Sequence, residues 1–191
     1  SDGDKGRRRQ GPVTLHGTMM GAIRRETEAA RAGRKGHVIA KLNALLEEQI
    51  IDALYEASQA GVRVDLIVRG VCSVRAGLPG ISEKLAVHSI VGRFLEHHRM
   101  YYFHNGGVEE LYVGSADLMD RNLHRRIETL FPILDPAILR HLRDEVLEVY
   151  LRDNTQARVL QPDGTYLRLT PGDELPVNAQ LALMAESERN R

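Results

Sequence analysis

At 191 residues the chain can bury one ordinary core and is too short for two large ones. Its 42% hydrophobic and 27% charged residues exclude a disordered or fibrous chain, and 26 Lys and Arg against 26 Asp and Glu exclude a global field for polyanions. Any anion site must be a local focus of positive charge.

Cys72 is the one cysteine, so no internal disulfide forms, which fits a reducing compartment. No apolar run reaches the roughly 18 to 20 residues of a bilayer span, and the first residues lack a hydrophobic signal core. The expectation is a cytoplasmic protein, peripheral to a membrane at most, with no transmembrane segment and no nucleic-acid partner.

Residues 1–12 are mostly Gly, Lys, Arg, Asp and Gln and read as a flexible tail. A helix is predicted from Thr14 to Ala32, with Met19, Met20, Ile23 and Ala30 on one stripe and Gly33 as its stop; residues 13–33 read as a connector. From residue 34 to 191 the pattern is that of one α/β domain. His37 to Ala40 reads as a buried strand. Asn43 is placed as the N-cap of a helix from Ala44 to Ala60, ended by Gly61, and Val62 to Val68 alternates as a second strand. Strand, helix, strand at this spacing predicts parallel strands with a right-handed crossover. Ligands of such sheets sit beyond the carboxyl ends of the strands, so Lys41, Asn43 and Arg69 are expected to converge there.

Residues 70–83 read as a loop, Leu85 to Val91 as a strand, and Ile90, Val91, Phe94 and Leu95 as a short amphipathic helix leading to His97. Met100 to Phe103 and Leu111 to Val113 are strand-like around Asn105-Gly106-Gly107, a hairpin turn signal. Another strand is predicted from Arg126 to Ile133. Asp135-Pro136 opens a helix to about Leu151, Pro162-Asp163-Gly164 turns a second hairpin, and Asn178 to Glu186 forms a last helix.

The stretch from Phe94 to Asn122 concentrates phosphate chemistry. His97 and Arg99 are two apart, as are Ser115 and Asp117, so in extended backbone each pair faces one way. Across the hairpin they would gather an imidazole, a guanidinium and a hydroxyl around one anion, with Arg121 and Asn122 at its mouth. His98, His104 and His124 lack zinc-site spacing, and no metal ligands are expected in the chain.

An H-x-K or H-x-R followed by G-S-x-N or G-S-x-D resembles a half-site of the phospholipase D superfamily; here the variable positions are Arg99 and Asp117. As whole phrases the chain resembles the C-terminal part of the polyphosphate kinases. The phrases are Ile39 to Asn43, Leu66 to Cys72, Gly80 to Glu83, Ser89 to His97, Asn105 to Gly107 and Gly114 to Leu123, all in order. The resemblance implies a phospholipase D-like α/β domain with a mixed sheet flanked by helices, the second catalytic domain of an enzyme that reversibly moves the terminal phosphate of ATP onto polyphosphate. It implies that His97 is catalytic, that His97 and Arg69 contact nucleotide phosphates, and that the histidine that becomes phosphorylated lies on a preceding domain. Lys41, Asn43, Arg99, Ser115, Asp117, Arg121 and Asn122 are the supporting candidates. The partners implied are ATP or ADP, inorganic polyphosphate, the rest of the enzyme and a second copy of it, with Mg²⁺ carried on ATP and its ligands mainly outside this chain. Two alternatives stay open: a stand-alone phospholipase D-type phosphodiesterase acting as a dimer, and a catalytically silent polyanion-binding module.

Overall fold

The computed structural model describes residues 13–90, 99–114 and 129–190. Its centre is the predicted crossover: strand β2 (His37–Leu42), helix α2 (Glu48–Ala60) and strand β3 (Arg63–Val68), with β2 and β3 parallel. Strand β4 (Leu85–Ile90) adds a third parallel strand beside β3. Strand β5 (Arg99–Phe103) runs antiparallel to β2 and is joined through a 3₁₀ turn at Asn105–Gly107 to β6 (Glu110–Gly114). Strands β1 (Val13–Thr14), β7 (Thr129–Pro132), β8 (Ala157–Leu160) and β9 (Tyr166–Arg168) complete a nine-stranded sheet in the order β1-β7-β6-β5-β2-β3-β4-β8-β9. This is the expected mixed sheet.

Helices cover both faces, and the period-2 alternation of the strands assigns residues to each. Val38, Ala40, Leu42, Val64, Leu66, Val68, Tyr101 and Phe103 pack with α1 (Leu15–Arg31) and α2 in the larger core. Their neighbours Ile39, Ile67, Met100 and Tyr102 pack on the other face. That face is covered by α3 (Pro136–His141), a π-helical segment (Leu142–Leu147), α4 (Glu148–Arg152) and α5 (Ala179–Arg189). The stretch read as a connector helix thus contributes the fully buried Leu15, Met19 and Ile23 to the larger core. The carboxylate of Glu26, itself buried, accepts hydrogen bonds from the backbone N–H of His37 and of Asn105, fastening α1 to the sheet.

Two boundaries differ from the sequence expectation. Helix α2 is capped by Glu47, whose carboxylate accepts from Ile50 N at 2.6 Å, not by Asn43. The chain after β2 stays extended because it keeps pairing with the chain after β3: Leu45 N donates to Val71 O, and Ser73 N donates to Leu45 O. The predicted helix from Pro136 begins as expected, with the Asp135 carboxylate accepting from Ala137 N and Ile138 N, but passes through the π-helical segment before ending at Arg152. Gly61 closes α2 at φ 108°, a left-handed turn that glycine adopts without the strain a Cβ would bring.

Candidate phosphate site at one sheet edge

Lys41 is the fifth residue of β2 and sits opposite Ile67 of β3. Beyond these strands the two chains remain zipped, Arg69 N donating to Leu42 O at 3.2 Å and Gly70 N to Asn43 O at 2.7 Å. A Cβ on Gly70 would lie 2.9 Å from Asn43 O, closer than real contacts allow, so only glycine lets the turns that carry Asn43 and Arg69 close up. Lys41, Asn43 and Arg69 therefore meet in one crevice, as expected from the crossover. Leu42, Ile67, Ile90, Tyr150 and Gln180 complete its walls.

Tyr150 and Gln180 were not candidates in the sequence reading. Tyr150, from α4, is buried and places its ring under Lys41, with Nζ 5.1 Å from the ring centre. That geometry suits a cation–π contact. Gln180 lies in the first turn of α5, and its approach is set by the buried Asp153. One oxygen of that carboxylate accepts from Thr155 N, Gln156 N and Ala157 N, the other from Ala179 N at 2.8 Å. The end of α4, the start of β8 and the start of α5 thus hang on one side chain. No periodicity or motif reports that closure, since residues 153 and 179 are joined only in three dimensions.

The crevice measures about 20 Å³, room for about one water, so a phosphate chain fits across its mouth and not inside it. Its described walls offer Lys, Arg, Asn and Gln and no carboxylate. Such a donor set suits phosphate oxygens; its described walls lack the carboxylate through which a protein binds Mg²⁺.

Arg99 opens β5 opposite Gly114 at this same edge, and it is buried. By strand alternation it shares the parity of Tyr101 and Phe103 and so belongs to the α1–α2 face, whereas Lys41 lies on the face of Tyr150. His97, Ser115, Asp117, Arg121 and Asn122, like the short helix expected before His97, lie outside the described residues. Their flanks do not. Ile90 at the end of β4, Arg99, Gly114 and Thr129 all stand at the edge that bears Lys41 and Arg69, as the strand registers require.

The opposite edge is chemically different. A cavity of about 540 Å³ there is lined by Lys35, His37, Arg63, Tyr102, His104, Glu109, Arg143 and Asp144, among others. Asp65 accepts from His37 Nε2 at 2.8 Å and pairs with Arg63 at 2.9 Å. Glu109 accepts from Tyr102 Oη and from Arg143, which also pairs with Asp144. Burial pushes the Tyr102 phenol up, and the Glu109 carboxylate that its proton serves pushes it further. Burial would also raise Glu109, yet the hydrogen bonds from Arg143 and Tyr102 outweigh it and hold the carboxyl below its usual range. The cavity is larger than the crevice, and at its edge Asp65, Glu109 and Asp144 are each paired with an arginine.

The family model described as polyphosphate kinase C-terminal domain 2 matches residues 10–180. The chain belongs to the polyphosphate kinase family. A polyphosphate kinase of Burkholderia vietnamiensis is 56% identical over 177 residues, and one of Paraburkholderia phytofirmans is 52% identical over the same length; each match takes in 93% of this chain and 26% of the relative. The crystal structure of polyphosphate kinase from Porphyromonas gingivalis superposes with a TM-score of 0.88 at 38% identity, over 95% of this chain and 28% of that one. The chain thus spans about a quarter of the length of these polyphosphate kinases. A phospholipase D family member, Nuc from Salmonella typhimurium, superposes with a TM-score of 0.53 at 14% identity over 79% of this chain, a likeness of fold alone.

Proposed function

We propose that this chain is the second catalytic domain of a polyphosphate kinase, residues 34–191 forming the catalytic unit, and that it transfers the terminal phosphate of ATP reversibly to inorganic polyphosphate. The phosphohistidine of that reaction is carried on the part of the enzyme that precedes this domain. The observation that carries the reading is the convergence of Lys41, Asn43 and Arg69 on one crevice with no carboxylate among its described walls, at the edge to which the flanks of both segments bearing His97, Ser115, Asp117, Arg121 and Asn122 also come.

The reaction passes a phosphoryl group through a transition state with negative charge spread over its equatorial oxygens, so positioning and cationic stabilisation do most of the work. Arg69 suits this role because its planar fork can hold two phosphate oxygens at once, and its backbone is fixed by the hydrogen bond to Leu42 O. Lys41 supplies a compact charge whose position is set by the Tyr150 ring. His97 hydrogen-bonds a phosphate or gives a proton to a leaving oxygen near neutral pH. Mg²⁺ bound to the nucleotide would supply charge neutralisation, with its ligands mainly outside this chain. The enzyme acts in the cytoplasm as a homo-oligomer on ATP or ADP and polyphosphate; among the described residues no helix is long and apolar enough to cross a membrane.

The stand-alone phosphodiesterase reading is not favoured, because the family match is to polyphosphate kinases and the likeness to the phospholipase D member is of fold only. Substituting His97→Ala in a polyphosphate kinase that contains this chain is expected to lower ATP-dependent polyphosphate synthesis by about 10²- to 10⁴-fold. Near-normal chain growth would remove His97 from the reaction.

A further inference from the structure

We propose that His141 and Glu186, with Glu145 aiming the imidazole, form a cation site away from the phosphate edge for a transition-metal ion of the Zn²⁺ type. His141 ends α3, Glu145 lies in the π-helical segment and Glu186 comes from α5. One donor atom of each residue lies within 4.8 Å of the other two. Nδ1 of His141 is 2.9 Å from the Glu145 carboxylate, and Nε2 is 3.6 Å from that of Glu186.

A neutral imidazole carries a single ring proton. Placed on Nδ1 it completes the 2.9 Å hydrogen bond to Glu145, which leaves the Nε2 lone pair facing a carboxylate oxygen of Glu186. Two acceptors then oppose each other, and either a proton or a metal ion between them removes the conflict. The 3.6 Å gap is long for a hydrogen bond. It is close to the separation of about 3.4 Å between neighbouring ligands of a tetrahedral ion with bonds of roughly 2.0–2.1 Å. Glu145 then plays the part of the carboxylate that fixes the tautomer and aims the ring of a metal-bound histidine. Imidazole with carboxylate favours Zn²⁺ and its transition-metal neighbours over Mg²⁺ or Ca²⁺, which prefer oxygen alone. His141 is 45% exposed and Glu186 24%, so water can fill the remaining positions.

The bound ion would fasten the distal part of α5 to the end of α3, while Asp153 holds the first turn of α5 beside the phosphate crevice. The site therefore braces the helix that presents Gln180.

The test is calorimetric titration of the chelator-treated 191-residue chain with ZnCl₂ at neutral pH, alongside His141→Asn and Glu186→Gln. Both changes fall on partly exposed side chains, and circular dichroism checks that each variant keeps its helix content. One equivalent of Zn²⁺ is expected in the parent chain, absent in His141→Asn and weakened at least about tenfold in Glu186→Gln. Zn²⁺ should raise the unfolding temperature of the parent and not of His141→Asn. Equal uptake by all three proteins would place the metal elsewhere, and no uptake by the parent chain would leave the cluster as a proton-bridged clamp; either result overturns the proposal.

Discussion

The two edges of the central parallel strands carry charged groups in different number and use them in opposite ways. At the carboxyl edge Lys41, Asn43, Arg69 and Gln180 stand around a crevice with no described carboxylate. At the amino edge Asp65 is matched by His37 and Arg63, and Glu109 and Asp144 by Arg143. The larger cavity lies at the amino edge, about 540 Å³ against 20 Å³. Under the proposed function, size points away from the phosphate site. Cations paired with built-in carboxylates make a structural clasp, whereas donors around a crevice with no carboxylate among its described walls suit phosphate oxygens.

The sharpest way to break this contrast is to remove a donor from the carboxyl edge. Arg69→Ala should lower kcat for phosphate transfer by about 10²- to 10³-fold with little change in unfolding temperature. Arg69→Lys should recover only part of the loss, since an ammonium cannot make the two-oxygen contact of a guanidinium. Full activity in Arg69→Ala would dissolve the distinction between the edges.

At the amino edge the same kind of change should act on stability. Glu109→Gln removes the charge that Arg143 and the Tyr102 phenol share, and is expected to cost about 1–3 kcal/mol in denaturant unfolding with kcat unchanged below the transition. A fall in kcat without a loss of stability would show that the clasp takes part in the reaction.

A smaller effect concerns His88, in β4 beside β8, whose buried Nδ1 has no hydrogen-bond partner. Burial lowers its pKa, outweighing the attraction of Asp65. The unfolded chain then binds the proton more readily, so stability attributable to His88 is full above about pH 6.5 and declines as pH falls towards its folded value. His88→Gln should flatten that part of the stability profile. An unchanged slope would assign the pH dependence to other groups.

The crossover was legible in the sequence because Val38-Ile39-Ala40 is a short apolar run and Val62, Val64, Leu66 and Val68 alternate at strand spacing, and Gly61 and Asp135-Pro136 mark helix ends locally. The hairpin of β5 and β6 was legible for the same reason, with Asn105 and Gly106 both at positive φ in its turn. What stayed hidden depends on partners distant in sequence. Asn43 has the chemistry of a cap, but pairing of the chain around Leu45 with that around Cys72 keeps it extended, and the helix waits for Glu47. The π-helical segment leaves no periodic trace in six residues. Arg99 sits in the anticipated strand, yet only register against β2 and β6 shows which face it takes. Tyr150 and Gln180 reach the crevice through the fold of α4 and α5 around Asp153, and Glu186 reaches His141 across the same packing.

The central claim is that the carboxyl edge, not the larger cavity opposite, receives phosphate. Backbone amide NMR shifts recorded while inorganic tripolyphosphate is added to the isotope-labelled chain test it directly. The account predicts saturable shifts at Asn43, Arg69, Gly70 and Gln180, with Lys35, Arg63 and His104 unmoved. Shifts centred on Lys35, Arg63 and His104, with the carboxyl edge silent, would contradict it.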